Sequence, residues 1–142
     1  DPGYKLVREC LTQGIQVEAI PGPSAVLTAL VSSGLPTDKF LFLGYLPKKI
    51  GKKKKLLESL KVTFQSSNIA INNLTIVFYE SPYRLLETLS DLKEIFQDIE
   101  IVICRELTKI HEEIIREKIS EAIIHFRQNK PLGEFTLLIS IP

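Results

Sequence analysis

Apolar residues recur along this chain in two rhythms, helical and alternating, and each switch between them marks an element boundary. Tyr4, Val7, Cys10 and Leu11 share one helical face, and Gly14 supplies a stop. Ile15 to Ile20 reads as a strand, broken by Pro21-Gly22-Pro23. Ser24 to Ser33 reads as an apolar helix closed by Gly34. Phe40 to Tyr45 is the next strand, followed by a run of lysines and a short amphipathic helix through Leu56, Leu57 and Leu60. The polar stretch from Thr63 to Asn73 has no clear period and reads as a loop.

Leu74 to Tyr79 is rich in β-branched and aromatic residues, as a strand should be. Pro82 then starts a helix with Leu85, Leu89, Leu92 and Phe96 on one face. Ile99 to Cys104 is almost continuously apolar, the pattern of a strand covered on both faces. His111 to Lys118 fits either an exposed strand or a helix. Ser120 is placed to cap a helix with Ala122, Ile123 and Phe126 inward, and Gly133 to Ile141 is the last strand. The alternation predicts an α/β fold, a mixed, mostly parallel sheet flanked by helices with room for an antiparallel edge. No internal repeat or linker divides the sequence, so residues 1–142 read as a single α/β domain.

Composition narrows the class. The chain is 44% hydrophobic and 25% charged, which excludes a disordered segment. Cys10 and Cys104 are too few for a disulfide framework, and no Cys/His cluster has metal-ligand spacing, so no metal is expected. No apolar run is long enough to span a membrane. These features predict a cytoplasmic protein with no membrane association. The sequence contains no methionine and opens Asp1-Pro2-Gly3, so we expect it to start inside a longer protein.

The net charge of +1 conceals an uneven distribution. Between Lys48 and Lys61 stand seven lysines and one acid, Glu58, leaving 11 bases against 16 acids in the rest of the chain. A basic block on an acidic body predicts a local anion-binding surface, with a merely solvated helix face as the alternative.

Candidate chemistry lies where strands end, because open α/β sheets take ligands at the carboxyl ends of their strands. In Ile20-Pro21-Gly22-Pro23-Ser24-Ala25, small side chains let a ligand approach unpaired backbone N–H groups at a helix start; a plain turn is the alternative. Phe78-Tyr79-Glu80-Ser81-Pro82-Tyr83-Arg84 places an acid and an arginine at a second strand end. There, Ser81 as a helix cap and Glu80 as a dipole partner would be a purely structural account. Cys104-Arg105-Glu106-Leu107-Thr108-Lys109 is a third polar strand end, alternatively a salt-bridged loop.

These segments, with Ser33-Gly34-Leu35-Pro36 and Gly133-Glu134, carry a resemblance that runs in order over nearly the whole chain. They resemble the C-terminal half of the small-subunit ribosomal RNA cytidine 2′-O-ribose methyltransferases, a branch of the tetrapyrrole (corrin/porphyrin) methylase family. Phe-Tyr-Glu-Ser-Pro and Arg-Glu-Leu-Thr-Lys are the specific strings. The resemblance implies a two-domain homodimer that uses S-adenosylmethionine, bound between domains, to methylate ribosomal RNA; the first domain would precede Asp1. It implies cofactor contacts at Pro23, Ser24, Ala25, Tyr79 and Glu80, with residues 116–119 near the adenine. The lysine block after Gly44-Tyr45-Leu46-Pro47 resembles a basic loop that faces RNA, which makes Lys52, Lys53, Lys54 and Lys55, with Arg84, candidate substrate contacts.

Methyl transfer to a ribose hydroxyl needs alignment, exclusion of water and a base or polarising group near the 2′-oxygen. Glu80, Glu106 and Arg105 are the candidate catalytic groups. Two other readings stand beside this one. A tetrapyrrole C-methyltransferase would use the basic region for an acidic macrocycle, and a non-catalytic binding or dimerisation module would make the polar strand ends structural.

Overall fold

In the computed structural model, which describes residues 3–66 and 73–141, helices cover both faces of a five-stranded sheet. In chain order the elements are α1 (Tyr4–Thr12), α2 (Ala25–Ser33), β1 (Phe40–Tyr45), α3 (Ile50–Ser66), β2 (Leu74–Glu80), α4 (Leu85–Phe96), β3 (Glu100–Arg105), β4 (Glu113–Lys118), α5 (Ile119–Gln128) and β5 (Phe135–Ile141). The alternation of side chains along the strands sorts the core into two layers. Ile76, Phe78, Ile101, Ile103, Leu137 and Ile139 face one side, where Leu57 of α3, Leu85, Leu89 and Leu92 of α4, and Phe126 of α5 pack. Val77, Val102, Cys104 and Leu138 face the other, against Val26, Ala29 and Leu30 of α2. Burial among these apolar groups pushes the Cys104 thiol up to about 11, so it stays protonated.

The mixed sheet flanked by helices is as the sequence predicts, but it is not mostly parallel. The strand order is β1-β2-β5-β3-β4. β1 and β2 pair in parallel, whereas β2–β5, β5–β3 and β3–β4 are antiparallel. Strands β1, β2 and β3 do share one direction, as helix-strand alternation requires. The difference is adjacency: β5 runs oppositely and inserts between β2 and β3.

Several local expectations change. Ile15–Ile20 forms no strand; it leaves α1 exposed, with no ladder partner among the described residues. The apolar face of α1 is open as well, and Tyr4, Val7 and Leu11 line a groove of 670 Å³. The lysines lie inside α3 rather than ahead of it, and Thr63–Ser66 continues that helix. The remainder of the expected loop, residues 67–72, falls outside the described residues. Helix α4 begins at Leu85, because Pro82 and Tyr83 form a turn closed by Arg84 N–H donating to Ser81 O at 3.0 Å. Ser120 lies within α5 instead of capping it: its N–H and hydroxyl both donate to Asp98, at 2.8 and 2.7 Å. Residues 113–118 resolve as the edge strand β4.

The two ends of α2 match expectation. Ser24 caps α2, its Oγ accepting from Leu27 N–H at 3.4 Å, and Gly34 ends that helix. No helix among the described residues is long and apolar enough to cross a membrane, and no His, Cys, Asp and Glu among them cluster as a metal site.

Candidate functional site at the strand ends

Register brings two of the three polar segments, the ends of β2 and β3, to one edge of the sheet. Tyr79 pairs with Thr136, Glu80 and Arg105 both pair with Phe135, and Cys104 pairs with Thr136. On the α2 side of this edge, Ala25, Tyr45, Tyr79, Glu134, Phe135 and Thr136 line a cavity of 230 Å³. The start of α2 is one wall of it. Ala25 is exposed there, so the approach to the first turn of the helix is open.

An irregularity in β1 shapes the opposite wall. Phe42 pairs with Val77 but Tyr45 pairs with Tyr79, so three steps on β1 match two on β2. Gly44, at φ +65°, absorbs the extra residue in a conformation that costs other residues more. The bulge turns Tyr45 to the same face as Phe42 and Tyr79. The Tyr79 ring then lies 5.0 Å from Phe42, edge-on, and 5.6 Å from Tyr45. These contacts fix its orientation. Burial, with the nearby Tyr45 and Glu134, holds the Tyr79 phenol above its ordinary value, so it remains a hydrogen-bond donor.

Period-two alternation separates two residues that the sequence reading grouped together. Tyr79 faces the cavity, whereas Glu80 points to the opposite side of the sheet and is 1% exposed. Its Oε1 accepts from Ser81 N–H at 2.8 Å, and its Oε2 accepts from Thr88 Oγ1 at 2.6 Å. Arg84 approaches Oε2 at 3.5 Å and donates to Leu46 O and Pro47 O at 3.1 and 3.2 Å. Glu80 and Arg84 therefore brace the β2–α4 turn against the β1–α3 connection. Their groups are engaged within the protein.

Glu106 and Arg105 are engaged as well. Arg105 donates to Leu132 O at 2.8 Å and meets Glu113 at 3.3 Å. Glu106, at φ +50°, donates its N–H to Glu134 O at 3.0 Å, and its Oε1 accepts from Glu134 N–H at 2.9 Å. Lys109 Nζ bridges Glu106 Oε1 and Glu134 Oε2, at 3.1 and 2.9 Å. The Glu134 N–H, then Lys109, hold the Glu106 carboxyl below its ordinary range. The Glu106 backbone N–H and carboxylate together hold the backbone of Glu134, a residue that lines the cavity. Tyr45, Glu134, Phe135 and Thr136 are the lining residues that sequence reasoning did not single out as a site. Gly133-Glu134 carried a signal in the resemblance, but the bulge that re-aims Tyr45 has none beyond a glycine in a strand.

Residues 116–119 do not reach the cavity. Lys118 pairs with Glu100 at the start of β3, the opposite end of the sheet, and Arg116 donates to Ser33 O at 2.8 Å and also to Ser32 O. The four consecutive lysines divide by helical geometry. Lys52 and Lys55 are exposed on α3, as are Lys48 and Lys49 just before it. Lys53 is fully buried, with Asp91 and Glu87 each at 2.7 Å, and cannot contact a substrate from that position. Lys54 is paired with Glu94 at 2.5 Å. The candidate anion surface is thus Lys48, Lys49, Lys52 and Lys55, and Lys53 is corrected from contact to core.

The order of elements, the cavity at the strand ends and the capped start of α2 define a class that comparison with known proteins identifies. The chain belongs to the tetrapyrrole (corrin/porphyrin) methylase family, whose pattern it matches over residues 1–123. Ribosomal RNA small subunit methyltransferase I of Thermotoga maritima is 51% identical over 141 residues, covering 99% of this chain and 59% of that protein. The protein of the same name from Halalkalibacterium halodurans is 42% identical over 139 residues, covering 98% of this chain and 45% of its own length. The chain spans about half the length of these curated relatives. In fold it is similar to uroporphyrin-III C-methyltransferase of Thermus thermophilus complexed with S-adenyl homocysteine. That match has a TM-score of 0.57 and 16% identity, covering 96% of this chain and 58% of the other.

Proposed function

We propose that this chain is the C-terminal half of a two-domain, homodimeric methyltransferase that transfers a methyl group from S-adenosylmethionine to a ribose 2′-hydroxyl, that of a cytidine, in small-subunit ribosomal RNA. The observation that carries the reading is the cavity where the start of α2 meets the ends of β1 and β2, together with 51% identity to a protein named for ribosomal RNA methylation. The residues fit part of such a cofactor: a small side chain at Ala25, donors at Tyr79 and Thr136, and the apolar Phe135 beneath. At 230 Å³ the cavity is smaller than the roughly 300–1,000 Å³ of complete small-molecule sites. It therefore supplies one wall of a cleft, and the open apolar face of α1 supports a second packed body.

S-adenosylmethionine, when bound, supplies a sulfonium-activated methyl group. What remains for the chain is to bind, orient and exclude water. Ser24, Pro23 and Ala25 present the helix start, and Tyr79 donates from a fixed ring. Glu134, held by Glu106 and Lys109, is the carboxylate at the mouth that can orient the ribose hydroxyl. The exposed lysines meet the phosphate backbone.

Calorimetric titration of the full-length protein with S-adenosylmethionine tests the cofactor site. Ala25→Leu should weaken binding at least tenfold, about 1.4 kcal/mol, at unchanged melting temperature. Unaltered affinity would mean that α2 does not border the cofactor. Residues 1–142 alone should bind poorly. Transfer of labelled methyl groups to a uroporphyrinogen, and none to small-subunit RNA, would replace the RNA reading by the tetrapyrrole one.

A further inference from the structure

Tyr83 is 95% exposed, and its surroundings give that exposure a use. It stands in the turn between β2 and α4, four residues beyond the cavity-lining Tyr79. The turn is rigid: Ser81 Oγ accepts from Tyr83 N–H at 3.3 Å, and Ser81 O accepts from Arg84 N–H at 3.0 Å. Arg84 then clamps it to Leu46 O and Pro47 O, immediately before Lys48 and Lys49. One arginine side chain therefore joins the exposed tyrosine to the start of the exposed lysine row.

A lone exposed tyrosine needs no explanation. A tyrosine on a braced turn beside a row of unpaired cations has the composition of a single-strand reader: ammonium groups follow the backbone while an aromatic face takes an unstacked base. We infer that Tyr83 is a stacking platform for an unpaired base of the RNA substrate, next to the nucleotide that enters the Tyr79 cavity. This rests on the RNA reading above. Single-stranded RNA is the occupant that the charge favours, because Lys48, Lys49, Lys52 and Lys55 are all exposed and a phosphate backbone offers them successive anions beside its unstacked bases.

Stacking and phosphate contacts differ in their response to salt, which makes the inference separable. The probe is a short unstructured RNA carrying 2-aminopurine, titrated with the full-length protein at several salt concentrations; small ribosomal subunits lacking the modification are the second substrate. Tyr83→Ala should weaken RNA binding by roughly 5- to 100-fold, the range for loss of one stacked base. The salt slope and the affinity for S-adenosylmethionine should not change. Tyr83→Phe and Tyr83→Trp should bind as the parent does, because the face and not the hydroxyl is used. Equal affinity of Tyr83→Ala and parent for both RNAs would overturn the platform while leaving the RNA reading intact. A parent protein that binds neither RNA would overturn both. A loss in Tyr83→Phe equal to that in Tyr83→Ala would assign the effect to the hydroxyl and reject stacking.

Discussion

Lys53 Nζ lies 2.7 Å from Asp91 Oδ2, sealed between α3 and α4. It also meets Glu87 Oε1 at 2.7 Å and Thr88 Oγ1 at 3.4 Å, and Thr88 in turn donates to Glu80. A chain of polar contacts thus runs from the lysine helix through the interior to the end of β2. Removing Lys53 leaves the buried Asp91 with only Lys54, at 3.7 Å. Lys53→Met should lose about 3–5 kcal/mol in urea denaturation. Lys53→Met combined with Asp91→Leu should recover much of that loss, whereas Lys52→Met should stay within about 0.5 kcal/mol of the parent.

The exposed lysines should behave in the opposite way. Replacing Lys48, Lys49, Lys52 and Lys55 by glutamine should leave stability unchanged and weaken RNA binding by the full-length protein. The salt dependence should flatten by up to about 3 units of log K per log salt, at about 0.7 per phosphate contact on single strands. Replacing Lys53 and Lys54 should leave that slope unchanged. A slope equally sensitive to both sets would contradict the division of the lysine run into outward and inward positions.

Gly133 sits at φ +91°, where a Cβ would fall 2.6 Å from Glu106 Cγ and Oε1. Gly133→Ala should therefore cost about 2–3 kcal/mol from the backbone conformation and the displaced carboxylate. The Glu106–Glu134 pairing should loosen with it. Thermal denaturation measures the first effect. Faster amide exchange at Glu106 and Glu134 reports the second.

The Glu106 carboxyl is held below its ordinary value of 4.5, first by the Glu134 N–H and then by Lys109. A depressed folded value means that the unfolded chain binds the proton more readily. The contribution is complete above the ordinary carboxyl value and disappears as pH falls through the lowered one. Denaturation midpoints measured from neutral to acidic pH should fall more steeply for the parent than for Glu106→Gln. Parallel profiles would show that the pairing has no energetic consequence.

Much of the fold was legible where local signals act alone. Ser24 and Gly34 bracket α2 because a hydroxyl and a glycine solve the two ends of a helix chemically, whatever packs against it. The bounds of β1 follow from six residues of strand pattern. Adjacency was not legible, since alternation sets the direction of β1, β2 and β3 but not that β5 inserts between β2 and β3. Ile15–Ile20 has a strand's composition but no strand to pair with among the described residues. At the site, Ala25 and Tyr79 stood out by their place in the chain and do line the cavity. Glu80 stood out equally and faces the other way, because one step along a strand reverses the side chain. Lys53 could not be told from Lys52 by charge. The separation comes from Asp91 and Glu87, more than 30 positions away.

The insertion of β5 also fixes an order of events during synthesis. β1 and β2 can pair early, and β3 with β4 can form a hairpin, but these two pieces share no ladder until Phe135–Ile141 arrives. β2 and β3 then each gain their inner neighbour at once. Until that point, Ile76, Val77 and Phe78 on one piece and Ile101, Val102 and Ile103 on the other lie along unpaired edges. Such edges favour pairing with foreign strands. A nascent chain that stalls before residue 135 would leave two apolar strand edges open until Phe135–Ile141 emerges.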